Sequence, residues 1–121
     1  MSTILVIEDS PTVLAAASSI LTGAGHSVMT ATDGEQAVKT AVDSKPDLVL
    51  LDVILPGYNG FQVCRVLKSK PETADIPVIM LTSKDSDKDR EWGMAQGAQD
   101  YIAKPFSPES LLDAVSRHTG G

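Results

Sequence analysis

Cysteine is nearly missing from this chain of 121 residues: Cys64 stands alone, which excludes an internal disulfide and any multi-cysteine metal site. Positive charge is scarce as well. Ten Lys and Arg stand against sixteen Asp and Glu, for a formal charge of −6 and a pI of about 4.7. A surface of that sign repels phosphate backbones, so no nucleic-acid partner is expected. No apolar run approaches the roughly 18 residues a membrane helix needs. The N-terminal MSTILVIEDS lacks the basic stretch and long apolar core of a secretory leader. No membrane insertion and a cytoplasmic location are therefore the default expectation. What the chain does have is ordinary globular balance, 42% hydrophobic and 21% charged residues. Residues 1–121 read as one domain, with no linker, repeat or low-complexity segment.

Short apolar runs alternate with helical patterns from end to end. Ile4–Ile7 is continuously apolar, as a strand buried on both faces would be. Ser10-Pro11 is a helix start, with Val13, Leu14, Ala17, Ile20 and Leu21 at helical spacing and Gly23 and Gly25 at the end. A strand over about Ser27–Ala31 follows. Asp33 and Gln36 have capping-box spacing and open a helix that stops before Lys45-Pro46. Leu48–Leu51 is the most apolar strand. Asn59 caps a helix that runs to Lys70-Pro71, and Pro77 leads into the strand Val78–Leu81. A helix over about Asp87–Gln96 ends at Gly97. A short strand lies near Asp100–Ala103, and Ser107-Pro108 opens the last helix. This (βα)5 pattern predicts an α/β, flavodoxin-like, doubly wound parallel sheet of order 2-1-3-4-5. Its ligand crevice should lie at the carboxyl ends of the first and third strands.

Polar residues collect at those strand ends: Glu8-Asp9, Asp52, Thr82-Ser83 and Lys104-Pro105. Asp52 is the oddest of them, with four apolar residues before it and three after it. A buried, unpaired carboxylate costs several kcal/mol or gives up its charge. Side by side in one crevice, three carboxylates repel and invite a cation. All-oxygen ligands suit Mg²⁺, or Mn²⁺ in its stead. Lys104 and Thr82 add a positive charge and a hydroxyl donor suited to phosphoryl oxygens, and a carboxylate can itself be the nucleophile. Each residue alone has an ordinary explanation: acids near a helix N-terminus, a strand-end Thr, a loop Lys. Their joint placement at the ends of four strands outweighs those readings.

The motifs IEDS (Ile7–Ser10), LLDVILPGYNG (Leu50–Gly60), MLTSK (Met80–Lys84) and GAQDYIAKPF (Gly97–Phe106) together resemble the receiver domain of two-component response regulators over the whole chain. The resemblance implies that Asp52 takes a phosphoryl group from a histidine kinase. It implies a Mg²⁺ site of Glu8, Asp9, Asp52 and the Ile54 carbonyl, phosphate contacts from Thr82 and Lys104, and a cis Lys104-Pro105 peptide. Tyr101 matches the aromatic that turns inward when the Thr moves. Phosphorylation would then rearrange the face formed by the fourth helix, fifth strand and fifth helix for a downstream protein target. Ile54 and Lys84 flank the phosphate and would tune its lifetime, and Glu8 replaces the Asp common at its position.

A finer resemblance lies in Asp89–Pro105, where WG-x-x-QGA is similar to stand-alone receivers of type IV pilus and chemosensory motility systems. The expectation is thus a single-domain regulator with no output domain and no enzymatic turnover beyond its own phosphorylation and dephosphorylation. A phosphate sink or relay intermediate, or a receiver excised from a larger regulator, are the alternatives. A flavodoxin would need a Ser/Thr/Gly-rich loop where EDSPT stands. A dehalogenase-type phosphatase would need an acid at Ile54. A scaffold without phosphorylation has no need of the full residue set.

Overall fold

The computed structural model describes residues 2–84 and 86–119. Five strands and five helices alternate: β1 (Thr3–Ile7), α1 (Pro11–Gly23), β2 (Ser27–Ala31), α2 (Gly34–Ser44), β3 (Leu48–Leu51), α3 (Gly60–Ser69), β4 (Val78–Thr82), α4 (Asp87–Ala95), β5 (Asp100–Ala103) and α5 (Pro108–Thr119). All pairs are parallel, in the order β2-β1-β3-β4-β5. The chain leaves β1 toward β2 and returns on the other side to β3. That reversal opens the crevice beyond Ile7 and Leu51, which are register partners.

Side chains alternate across each strand, so the continuous apolar runs feed two cores. Leu5, Ile7, Val49, Leu51 and Met80 pack with Ala37, Ala41, Val63 and Leu67 of α2 and α3. Ile4, Val6, Leu48, Leu50, Ile79 and Leu81 pack with Leu21 of α1 and with Leu111 and Val115 of α5. Burying each such side chain contributes about 1.5–3 kcal/mol. The strands that end at the crevice are consequently the most firmly held elements.

Helix starts follow the side chains that satisfy their free amides. Ser10 Oγ accepts the Val13 N–H at 3.4 Å, and Ser107 Oγ accepts that of Ser110 at 3.0 Å. Asn59 and Gln62 form a reciprocal capping box, with both bonds 3.0 Å. The pair expected to form one, Asp33 and Gln36, forms half. Asp33 accepts the Gln36 N–H at 2.8 Å, but Gln36 Oε1 reaches past it to the Thr32 N–H at 3.1 Å. The cap of α4 is Ser86, whose Oγ accepts the Asp89 N–H. β4 runs one residue further than its apolar pattern, so that Thr82 is its last residue.

Candidate functional site

Asp52 is the first residue beyond β3. Its N–H is held by the Ile7 carbonyl at 3.0 Å, and it is 5% exposed. Glu8 follows β1 directly, with its N–H on the Ala31 carbonyl and its side chain buried. Backbone bonds inherited from the sheet therefore aim both carboxylates. Glu8, Asp9 and Asp52 each offer an oxygen within 4.8 Å of the others, with Asp9 exposed at the mouth.

Lys104, the first residue beyond β5, closes the group. Its Nζ donates to Asp52 Oδ2 at 2.9 Å and to Glu8 Oε1. Two further donors are local: Ser10 N–H to Glu8 Oε2 at 3.0 Å, and Ile54 N–H to Asp52 Oδ1 at 3.2 Å. Burial pushes the Glu8 carboxyl above its usual range, against the bonds from Lys104 and Ser10 and with the help of the Asp52 charge. Burial acts to lower the Lys104 ammonium, but its bonds to Glu8 and Asp52 outweigh that, and its pKa is raised. The donor set is all oxygen, which fits a hard divalent cation such as Mg²⁺.

Thr82 is fully buried, and its Oγ1 accepts the Lys84 N–H at 3.2 Å. Its carbonyl accepts the Lys104 N–H at 3.0 Å, which ties β4 to the Lys104-Pro105 segment. That peptide bond is cis. Ile54 and Lys84 line one cleft together with Phe61 and Asp89, and Ile54 is half exposed. Tyr101 lies inward, its hydroxyl donating to the Lys84 carbonyl.

Three contributors were not visible in the sequence. The Ser10 amide acts through its backbone. Arg90 places its guanidinium 5.1 Å from the Tyr101 ring centroid. Gly60 packs directly on the end of β3: a Cβ there would lie 2.7 Å from Val53 Cα and closer still to the Asp52 carbonyl. The Asn-Gly pair after LPGY signals a turn, but only the fold shows that its glycine abuts the acceptor.

A parallel sheet with three acids and a lysine at its switch point defines a doubly wound α/β protein with an acidic crevice at the carboxyl ends of its strands. Residues 4–116 match the model of the response regulator receiver domain, and the chain belongs to that family. It is similar to Protein PilH of Pseudomonas aeruginosa, 43% identical over the full length of both chains. It is 44% identical to the phosphate regulon transcriptional regulatory protein PhoB of the same organism, over 98% of this chain and 53% of that one. The chain thus spans about half the length of that and several other curated relatives. The receiver domain of sensor histidine kinase PA1611 from P. aeruginosa, solved with magnesium in its active-site cleft, superposes with a TM-score of 0.92. It is 32% identical, over 99% of this chain and 98% of that one. Among the described residues, no helix is long and apolar enough to cross a membrane.

Proposed function

We propose that Asp52 accepts a phosphoryl group from the phosphohistidine of a histidine kinase, making the protein a phosphorylation-controlled interaction switch. One observation carries this reading. Lys104 bonds Asp52 and Glu8 within a triad of acids whose oxygens converge within 4.8 Å. An Asp52 oxygen attacks phosphorus while the P–N bond breaks and its electron pair leaves with the imidazole. Lys104 is placed to follow the charge onto the transferred phosphoryl oxygens, and the Thr82 hydroxyl to donate to one of them. Glu8, Asp9, Asp52 and the Ile54 carbonyl would hold Mg²⁺, which neutralises phosphoryl charge when bound. Ile54 and Lys84, on the rim, govern the access of water and hence the lifetime of the acyl phosphate.

When Thr82 turns to the phosphoryl group, the Lys84 amide that it now accepts is released. Tyr101, bonded to the carbonyl of the same Lys84, feels the change, and the α4–β5–α5 face shifts toward the form a downstream protein binds. The full-length likeness to PilH, together with the WG-x-x-QGA motif, supports a receiver that works in type IV pilus or chemosensory motility signalling. Incubation with acetyl phosphate and Mg²⁺ tests the central step. The wild type should gain one hydroxylamine-labile phosphoryl group by intact mass, and Asp52→Asn none. Undiminished acyl phosphate on Asp52→Asn would sink the assignment.

A further inference from the structure

Away from the acid triad, one buried aromatic side chain is held by a carbonyl, a guanidinium and a helix glycine. Tyr101 is 7% exposed, with its hydroxyl on the Lys84 carbonyl. The Arg90 guanidinium lies over its ring, and Arg90 Nη1 is 3.5 Å from the Tyr101 carbonyl. One turn further along α4 comes Gly93, on the same helix face as Arg90. A Cβ at Gly93 would lie 3.1 and 3.3 Å from Tyr101 Cε2 and Cδ2, and 3.4 Å from Phe61 Cε1. The two distances to Tyr101 are tighter than ordinary van der Waals contact, and the one to Phe61 is at its lower edge. The ring would have to give by a few tenths of an ångström, which disturbs its seat between the Lys84 carbonyl and the Arg90 guanidinium.

Gly93 is buried in the interior of a nine-residue helix. Glycine there weakens a helix relative to alanine, so its presence has a local cost that the ring contact explains. Its neighbour Trp92 carries the contact outward. The indole meets Phe61 edge-on, with centroids 6.5 Å apart and planes at 89°, and is 58% exposed. Phe61 thus touches both the packing at Gly93 and a solvent-facing aromatic.

We propose that Arg90 and Gly93 are positioning residues that seat the Tyr101 ring against α4. The inward position of that ring and the placement of α4 then form one variable, displayed on the α3–α4 face by Phe61 and Trp92. The functional meaning of the seat rests on reading Tyr101 as the switch residue; the seat itself does not.

The chain has two tyrosines and one tryptophan, which makes the test direct. Protein labelled with 3-fluorotyrosine should give two ¹⁹F resonances, with half-exposed Tyr58 as internal reference and Tyr58→Phe for assignment. In the wild type, the Tyr101 signal should show little H₂O/D₂O isotope shift. Gly93→Ala and Arg90→Met should each move it toward the solvent-exposed position, with a parallel change in Trp92 emission. Far-UV circular dichroism and a melting curve report whether each variant is folded. A Tyr101 resonance unmoved in folded Gly93→Ala and folded Arg90→Met overturns the proposal. Should Gly93→Ala not fold, Arg90→Met alone decides. Adding beryllofluoride and Mg²⁺ to the wild type addresses the switch reading separately: no response there removes the functional meaning and leaves the seat standing or falling on the variants.

Discussion

Lys104 shows how much a single residue can hold at this site. It faces two carboxylates that the sheet backbone has fixed, and it is largely buried itself. Lys104→Met should therefore lower stability by about 1–3 kcal/mol at neutral pH without Mg²⁺, because Glu8 and Asp52 then lose a charged donor. The sign with pH follows from the raised ammonium pKa. The stabilisation is complete below the ordinary lysine value of 10.5 and is lost as pH rises through the raised folded value. Urea melts of both proteins should show a gap that is constant from neutral pH to 10.5 and narrows above it, and a gap that stays unchanged well beyond 10.5 would contradict the ion-pair account. Cys64 makes a contrast at the same scale. Burial pushes its thiol up to about 11, and its Sγ lies 3.5 Å from the Gln96 carbonyl, so the lone cysteine is packing.

The elements were the most legible feature of the sequence, and the misses have definite causes. Strand identity was readable because parallel strands buried on both faces are apolar without interruption. β4 extends to Thr82 because ladder pairing with Ala103 continues after the apolar run has ended. Gln36 and Gln62 occupy the same position relative to their caps, yet only Gln62 returns to its own cap residue. Choosing between the two bonds depends on the approach of the preceding loop, which local spacing does not encode. The contact at Gly60 is likewise tertiary: sequence offers a turn glycine, while the fold presses it on the Asp52–Val53 backbone. Gly60→Ala should cost at least the 1–3 kcal/mol typical of overpacking. It should also slow phosphorylation by acetyl phosphate in the molecules that remain folded, since the carboxylate sits on the displaced residue. Full labelling rates with normal stability would show that the contact is readily relieved.

At the scale of the whole molecule, the acids are gathered at one end of a sheet that the two cores make rigid. Repulsion among them cannot be relieved by the backbone moving apart, so positive charge must offset it, and the Lys104 ammonium does so for Glu8 and Asp52. Candidate ligands were visible in the sequence because they follow directly after strands whose order was predictable. Arg90 and Gly93 were not, since their role depends on how α4 lies against β5. The raised Glu8 carboxyl gives the metal effect its pH dependence. The folded state holds that proton above the ordinary value of 4.5. In metal-free protein, stability then declines as pH rises from there through the folded value. Protons and metal compete for the same oxygens, so stabilisation by Mg²⁺ should grow with pH over that interval. Ligand saturation at about 100 times Kd adds about 2.7 kcal/mol, which for a domain of this size raises the melting midpoint by several degrees. Melting curves at matched ionic strength should show that rise at pH 7.5, a smaller one at pH 5, and almost none in Asp9→Asn. Equal shifts in Asp9→Asn and wild type would mean that Mg²⁺ stabilises this protein from somewhere other than the crevice beside Asp52.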